Sequence, residues 1–372
     1  MVPLLRRDFV NLSLRNSLHF CKSRVPFSTS LDRKPTINPA VYDFLFHSHN
    51  FSPEAAAEAA SVINRIKSRK NSDSLFTFLE KNDFSSSHLE RIVKYNPSFL
   101  SADLEKSVKP KIKIFQELGL SNNDIADLLA GNASILYRST DKSLIPALSL
   151  LRGLLGSDAS VGKLLMKSGR FLINDLDKCM VPNIEFLKSR GVPMEQIIAG
   201  MHSFPRFLLQ KPENVRRSAE RAEEFGAQAG SRLYIHAVRV IASMSDEVWE
   251  RKLQAFRGLG FSDADIVSGF SKYPPAFAAS VKKMEAVKSV VVSLGKYDMA
   301  SVVAYPLCFC CSIENRFRPR MQVLAALEDK MLIKKRPSLA TLCSVPDLYF
   351  YERFVRPYLD EVGHLFVAKG VR

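Results

Sequence analysis

The sequence is poor in the residues and patterns that mark catalysis. It has one tryptophan and seven histidines in 372 residues. It contains no glycine-rich loop to cradle a phosphate, no HExxH, no nucleophile elbow around a serine and no Walker lysine; these are the common local signatures of phosphoryl transfer, metalloprotease and hydrolase chemistry. Paired acids such as Glu223-Glu224 lack catalytic spacing and are expected on a solvated helix face. Six cysteines are present: Cys21, Cys179, Cys308, Cys310, Cys311 and Cys343. Three of them crowd together, with Cys308 and Cys311 at C-x₂-C spacing, but no second C-x₂-C pairs with it, and His202, His236 and His364 fall in other parts of the chain. That is not a zinc set, and buried core thiols are expected instead. No apolar run reaches the roughly 18 residues of a membrane span; the most apolar segment, 299–313, is interrupted by Pro306. No enzyme activity, cofactor, metal or membrane insertion is expected.

Acidic residues are also in deficit. There are 38 Asp and Glu against 53 Lys and Arg, a formal net charge of +15. A surface of that sign favours polyanions, nucleic acid first and an anionic membrane surface second.

What the chain has in abundance is a period. Pro110, Pro146 and Pro182 stand 36 residues apart, and each opens the phrase Pro-x-apolar-x-apolar-apolar. Glycines close the units at Gly119, Gly156, Gly191, Gly226, Gly260 and Gly295, 34 to 37 residues apart. Such spacing is the signature of stacked helical repeats. Each unit reads as two helices. The first opens at a capping signal (Ser87 with Glu90, Ser121 with Asp124, Ser262 with Asp265, or Pro193 as first helical residue), where a side-chain oxygen satisfies an orphan amide. Apolar residues at i, i+3, i+4 then give one buried stripe, as in Leu89/Ile92/Val93, Ile125/Leu128/Leu129 and Val161/Leu164/Leu165. A breaker ends it: Pro97, Pro205, Pro274 or Pro306, with Ala133 and Gly169 holding the place in two units. A short apolar step such as Ser98-Phe99-Leu100 leads to the second helix. The expected fold is all-α: a superhelical α-solenoid of about eight repeats, one elongated unit rather than several domains.

Residues 1–35 differ in kind. They carry seven basic residues (Arg6, Arg7, Arg15, Lys22, Arg24, Arg33, Lys34) against Asp8 and Asp32, with many serines and no long apolar core. That composition predicts a cleaved organelle presequence, mitochondrial first and chloroplast as the alternative. An N-terminal helical cap is expected over 39–84, tandem repeats over 85–363 and a short tail over 364–372. Within the array, units fall at 192–226, 227–260, 261–295, 296–329 and 330–363; unit 227–260 is the most worn, lacking proline and holding Trp249.

The basic residues recur in register. Arg216, Arg217 and Lys282, Lys283 occupy second helices of different units, Arg316 and Arg320 share a helix face with Arg318 beside them, and Lys334, Lys335 and Arg336 follow at the next junction. Arg206 and Lys272 adjoin breaker prolines. If repeats stack in parallel, these twelve side chains line one side and track a phosphate backbone.

The repeat resembles that of the mitochondrial transcription termination factor (mTERF) family. The resemblance is carried by the breakers Pro97, Pro205, Pro274 and Pro306, by Lys109-Pro110-Lys111-Ile112, Ile145-Pro146-Ala147-Leu148 and Val181-Pro182-Asn183-Ile184, and by terminal glycines such as Gly119 and Gly191. Residues 119–125 and Lys272-Tyr273-Pro274 look like its plant branch. The resemblance implies a curved array of units, each of two α-helices and a short 3₁₀ turn. It also implies an organellar, monomeric protein that binds double-stranded DNA to end or regulate transcription, or binds RNA in intron splicing. Pentatricopeptide-type readers of single-stranded RNA share the period, but not the proline within the second helix. A protein-binding helical scaffold is the alternative of another class.

Overall fold

The computed structural model describes residues 37–63, 68–293 and 297–366. The presequence reading of 1–35, Cys21, Gly295 and most of the 364–372 tail lie outside them. Among the described residues there is no β-strand; the chain is all-α and repetitive.

One repeat shows how the sequence builds the unit. Ser85, not Ser87, caps helix Ser86–Tyr95, through a box in which His88 takes the place expected for a carboxylate. Ser121 with Asp124 and Ser262 with Asp265 do form the boxes read from the sequence. Leu89, Ile92 and Val93 are buried to 1% exposure or less. Pro97 then opens a 3₁₀ turn, Pro97–Ser101, which buries Phe99 and Leu100. Ala133 and Gly169 open the same turn in the next two repeats, Ala133–Tyr137 and Gly169–Leu172.

The second helix begins with a widened turn. Before Pro110 the amide of Val108 bonds the carbonyl of Asp103, five residues back (3.2 Å), and Leu144 to Ser139 and Phe317 to Ser312 repeat this at 3.1 and 2.9 Å. A proline in a helix lacks a donor and presses its ring on the carbonyl four residues back; the wider turn relieves both demands before the α-helix proper starts. At the far end, Gly119, Gly156, Gly191, Gly226 and Gly260 all have φ between +78° and +93°, the left-handed conformation that lets the chain reverse into the next repeat. After helix Arg318–Asp329 no glycine is available, and Met331 takes that conformation at φ +57°.

Unit 227–260 departs from the pattern. Helix Tyr234–Ala242 passes to helix Asp246–Gly258 through a short link capped by Ser245, with no 3₁₀ turn between them. In the N-terminal part, helices Pro39–Asp43, Pro53–Val62 and Arg69–Glu80 are formed. The last begins at a Ser68 cap.

Where one elongated unit was expected, the described chain groups into two compact ones. One comprises the residues up to Ile184 with Ile198–Gln210; the other comprises Glu185–Ile197 with the chain from Lys211 onward. In an array each repeat touches chiefly its neighbours, so contacts can thin between repeats without any change of fold. Both units are built from the same helix, turn, helix element. No single described helix is long and apolar enough to cross a membrane.

Candidate nucleic-acid interface

The twelve basic residues selected by register divide by what their side chains touch. Arg320 is the extreme case: it was expected at the surface and is fully buried, at 0% exposure. Its guanidinium donates to the Leu342 carbonyl (2.7 Å) and to the Asp347 carboxylate (2.5 Å), and stacks 4.9 Å from the Phe350 ring centre. Burial pulls its pKa below the ordinary arginine range, with Asp347 acting against that. Arg316 does share the face of Arg320, but the face turns inward, and Arg316 pairs with the same Asp347 at 3.3 Å. Arg318 is held by Glu314 at 3.0 Å, and Arg336 makes a two-pronged pair with Glu328 at 2.8 and 3.0 Å.

Arg320 belongs to a recurring device. The residue after the second-helix proline lies on the buried side in three repeats: Lys111, Asn183 and Arg320. Lys111 and Asn183 donate to carbonyls that end the next repeat's breaker turn, and Arg320 donates to one in the last turn of the next repeat's first helix, Leu339–Ser344. Lys111 reaches Leu136 (2.9 Å), Asn183 reaches Leu208 and Gln210 (3.0 and 2.9 Å), and Arg320 reaches Leu342. Ser72 bonds Leu100 and Lys252 bonds Ala279 in the same sense. Where Ala147 stands at the proline-following position and has no donor, Arg138 bonds the Ile173 carbonyl instead. Carbonyls at a helix end carry partial negative charge, so a buried donor satisfies them and ties one repeat to the next. Burial lowers the pKa of both Lys111 and Lys252. The signal was in the sequence, as a polar residue four positions before, and so in frame with, the buried Phe115 and Leu187.

The remaining basic residues face water. Arg216, Arg217, Lys272, Lys282, Lys334 and Lys335 are exposed in the C-terminal unit and Arg206 in the other, with Lys283 half-buried. None of the seven exposed ones has a carboxylate partner among the described residues. Arg216 rests 6.0 Å from the Phe186 ring centre, which holds the stem down while the charge stays in solvent. Arg216 and Arg217 lie on helix Pro212–Glu224 and Lys282 on helix Val281–Ser293, both second helices. Three exposed cations passed over by the sequence reading are Lys163, Lys167 and Arg170; Arg170 stands 36 residues before Arg206, and that register was the available signal.

An open cleft of about 440 Å³ is lined by Lys272, Tyr273, Ser268, Met299 and Pro306 together with Asp265. Asp265 is bound to the Ser262 hydroxyl at 2.6 Å in its helix cap, so the cleft offers no acid–base pair. Cys308, Cys311 and Cys343 are buried, and burial holds the Cys308 thiol well above its ordinary pKa. No group of described His, Cys, Asp and Glu residues could hold a metal. Glu223, expected on a solvated face, accepts a bond from the Tyr234 hydroxyl (2.6 Å) and pairs with Arg190 (3.2 Å).

No curated protein matches the sequence. The family model for mTERF matches residues 67–351, the span that holds the breaker turns, the widened second-helix starts and the left-handed glycines described above. This is a family of helical repeats that bind nucleic acid in the termination and regulation of transcription, not of enzymes. On that match, and on the fold it covers, the chain belongs to the mTERF family.

Proposed function

We propose that this protein works in an organelle, where it binds double-stranded DNA through the phosphate backbone and regulates transcription. The observation that carries the reading is the set of exposed cations on the second helices of two repeats, Arg216, Arg217 and Lys282, with no carboxylate partner among the described residues, in a chain of net charge +15. Lys272, Lys334 and Lys335 extend it. Phosphate contacts position a protein and carry no sequence information; selectivity then comes from groove contacts and from deformation of the duplex.

Each phosphate neutralised releases counterions, so affinity for a fluorescent duplex should fall steeply as salt is raised. Changing Arg216, Arg217 and Lys282 together to alanine should lower the slope of log affinity against log salt by about 3. The loss should be equal for unrelated sequences, and the melting temperature should stay near wild type because these side chains are exposed. The same titration on single-stranded RNA distinguishes a splicing role: tighter binding to RNA than to duplex would move the assignment there. A protein scaffold would bind neither, with no salt dependence to measure.

The organelle rests on the basic, serine-rich composition of residues 1–35. A fluorescent reporter carrying residues 1–45 should be imported into mitochondria. Retention in the cytosol would refute the address, and import into chloroplasts would reassign it.

A further inference from the structure

A second cationic surface lies in the unit that contains neither Arg216 nor Lys282. It is formed where the third repeat meets the fourth, by Lys163 and Lys167 on helix Asp158–Lys167, Arg170 in the turn Gly169–Leu172, and Arg206. All four are exposed, and none has a carboxylate partner among the described residues. The cluster is ordered by the backbone. Lys167 donates to the His202 carbonyl of the following repeat at 3.0 Å. Both Lys163 and Lys167 are close enough to His202 to lower its pKa, after burial.

Register separates this cluster from an ordinary solvated face. The position of Lys163 is Asp127 one repeat earlier and Arg91 two repeats earlier. There the charges cancel: Asp127 lies 3.9 Å from Arg91 and 3.1 Å from His88, and nearby Lys94 is paired with Glu58 at 2.8 Å. In the third repeat the acid is replaced by a base. The second residue of the breaker turn follows the same course: Ser98 and the half-buried Ser134 in the first two repeats become the exposed Arg170 and Arg206 in the next two, each 36 residues on. Two successive repeats thus present an arginine at one structural position, beside Lys167 and beside Lys163, whose counterpart one repeat earlier is Asp127. Stacked helices lie about 8–10 Å apart, whereas phosphates on one strand of a duplex rise by about 3.4 Å. A single small anion could not span such a row; a polyphosphate chain could.

We infer that Lys163, Lys167, Arg170 and Arg206 form a second phosphate-backbone site for nucleic acid. The site rests on the nucleic-acid reading above and adds a contact surface in the other unit. Its chemistry fits the phosphodiester chain of DNA or RNA alike, and the two are separated by the probe.

The test uses the full chain with all four residues changed to glutamine, titrated with a fluorescent DNA duplex and with single-stranded RNA of equal length across a salt series. The slope of log affinity against log salt should fall by about 3–4 on the duplex, with binding at low salt roughly 10- to 100-fold weaker. Lys167 also holds a backbone carbonyl, so the pair Arg170→Gln and Arg206→Gln, which removes no such bond, should lower the slope by about 2. Loss confined to RNA would identify the single strand as the occupant. If wild type binds and both variants bind equally well with an unchanged slope, the surface is not a site, and the broader reading stands. If wild type binds neither probe while circular dichroism shows it folded, the nucleic-acid reading fails and this site fails with it.

Discussion

Changing Arg320 to alanine is expected to cost about 3–5 kcal/mol of folding stability, the range for breaking a buried ion pair by removing one partner. The cost has identifiable parts. The Leu342 carbonyl loses its donor, a loss of about 1–3 kcal/mol when the acceptor stays buried. Asp347 loses the nearer of its two arginines, keeping Arg316 at 3.3 Å. The guanidinium also leaves a void against Phe350, whose ring centre it faces at 4.9 Å. Methionine at this position fills most of the volume and carries no charge to desolvate, so Arg320→Met should be markedly milder. Urea unfolding followed by circular dichroism distinguishes the two. A loss below about 1 kcal/mol for the alanine variant would mean that Arg320 is a surface side chain after all.

The second large effect is expected at Trp249, which is 1% exposed in the unit with the most worn repeat. Its indole meets Phe225 edge-on at 5.2 Å and Phe270 at 5.5 Å, and lies 6.2 Å from Phe277. These rings come from three neighbouring repeats, so Trp249 does for this region what the breaker turn does elsewhere. Trp249→Ala should cost about 3–5 kcal/mol. Among the described residues the indole nitrogen has no hydrogen-bond partner, so the change orphans no hydrogen-bonding group; what is lost is ring packing and the face over which the Arg221 guanidinium lies, 6.0 Å from the ring centre. Trp249→Phe should recover a large part of it, because an edge-to-face partner is retained. As the only tryptophan, Trp249 also reports on itself: wild-type emission should be blue-shifted and move to the red in urea. Emission already at the solvent-exposed wavelength in the native protein would contradict the burial.

The fold was legible because its period is carried by residues with few conformational options. Proline and positive-φ glycine punctuate the repeat, and the apolar stripes between them point one way. The local exceptions have local causes. The cap moved from Ser87 to Ser85 because His88 can return a bond to the Ser85 amide at 3.1 Å, as a carboxylate would. The missing glycine after Asp329 was replaced by Met331, which no propensity rule would choose. The basic residues were harder to read. Helical spacing places Arg316 and Arg320 on one face but does not say which way that face turns. Only the next repeat's carbonyl ends and Asp347 decide it. Lys111 and Asn183 at the same position carried the hint, since a donor after the proline is useful only if it points inward. Conversely, the cations Lys163, Lys167 and Arg170 stand where the repeat before has Asp127, Gly131 and Ser134, a difference that appears only when the repeats are aligned.

The central claim is that the cations of this chain divide into buried ones that join repeats and exposed ones that hold phosphate. Its most direct test is the salt dependence of duplex binding for two variants measured side by side, Arg320→Met and the triple Arg216→Ala, Arg217→Ala, Lys282→Ala. The account predicts that the triple variant melts like wild type and loses about 3 from the slope of log affinity against log salt. Arg320→Met should lower stability and keep the wild-type slope, because a side chain at 0% exposure releases no counterion. The reverse result, a triple variant with an unchanged slope or an Arg320 variant with a reduced one, would contradict the division.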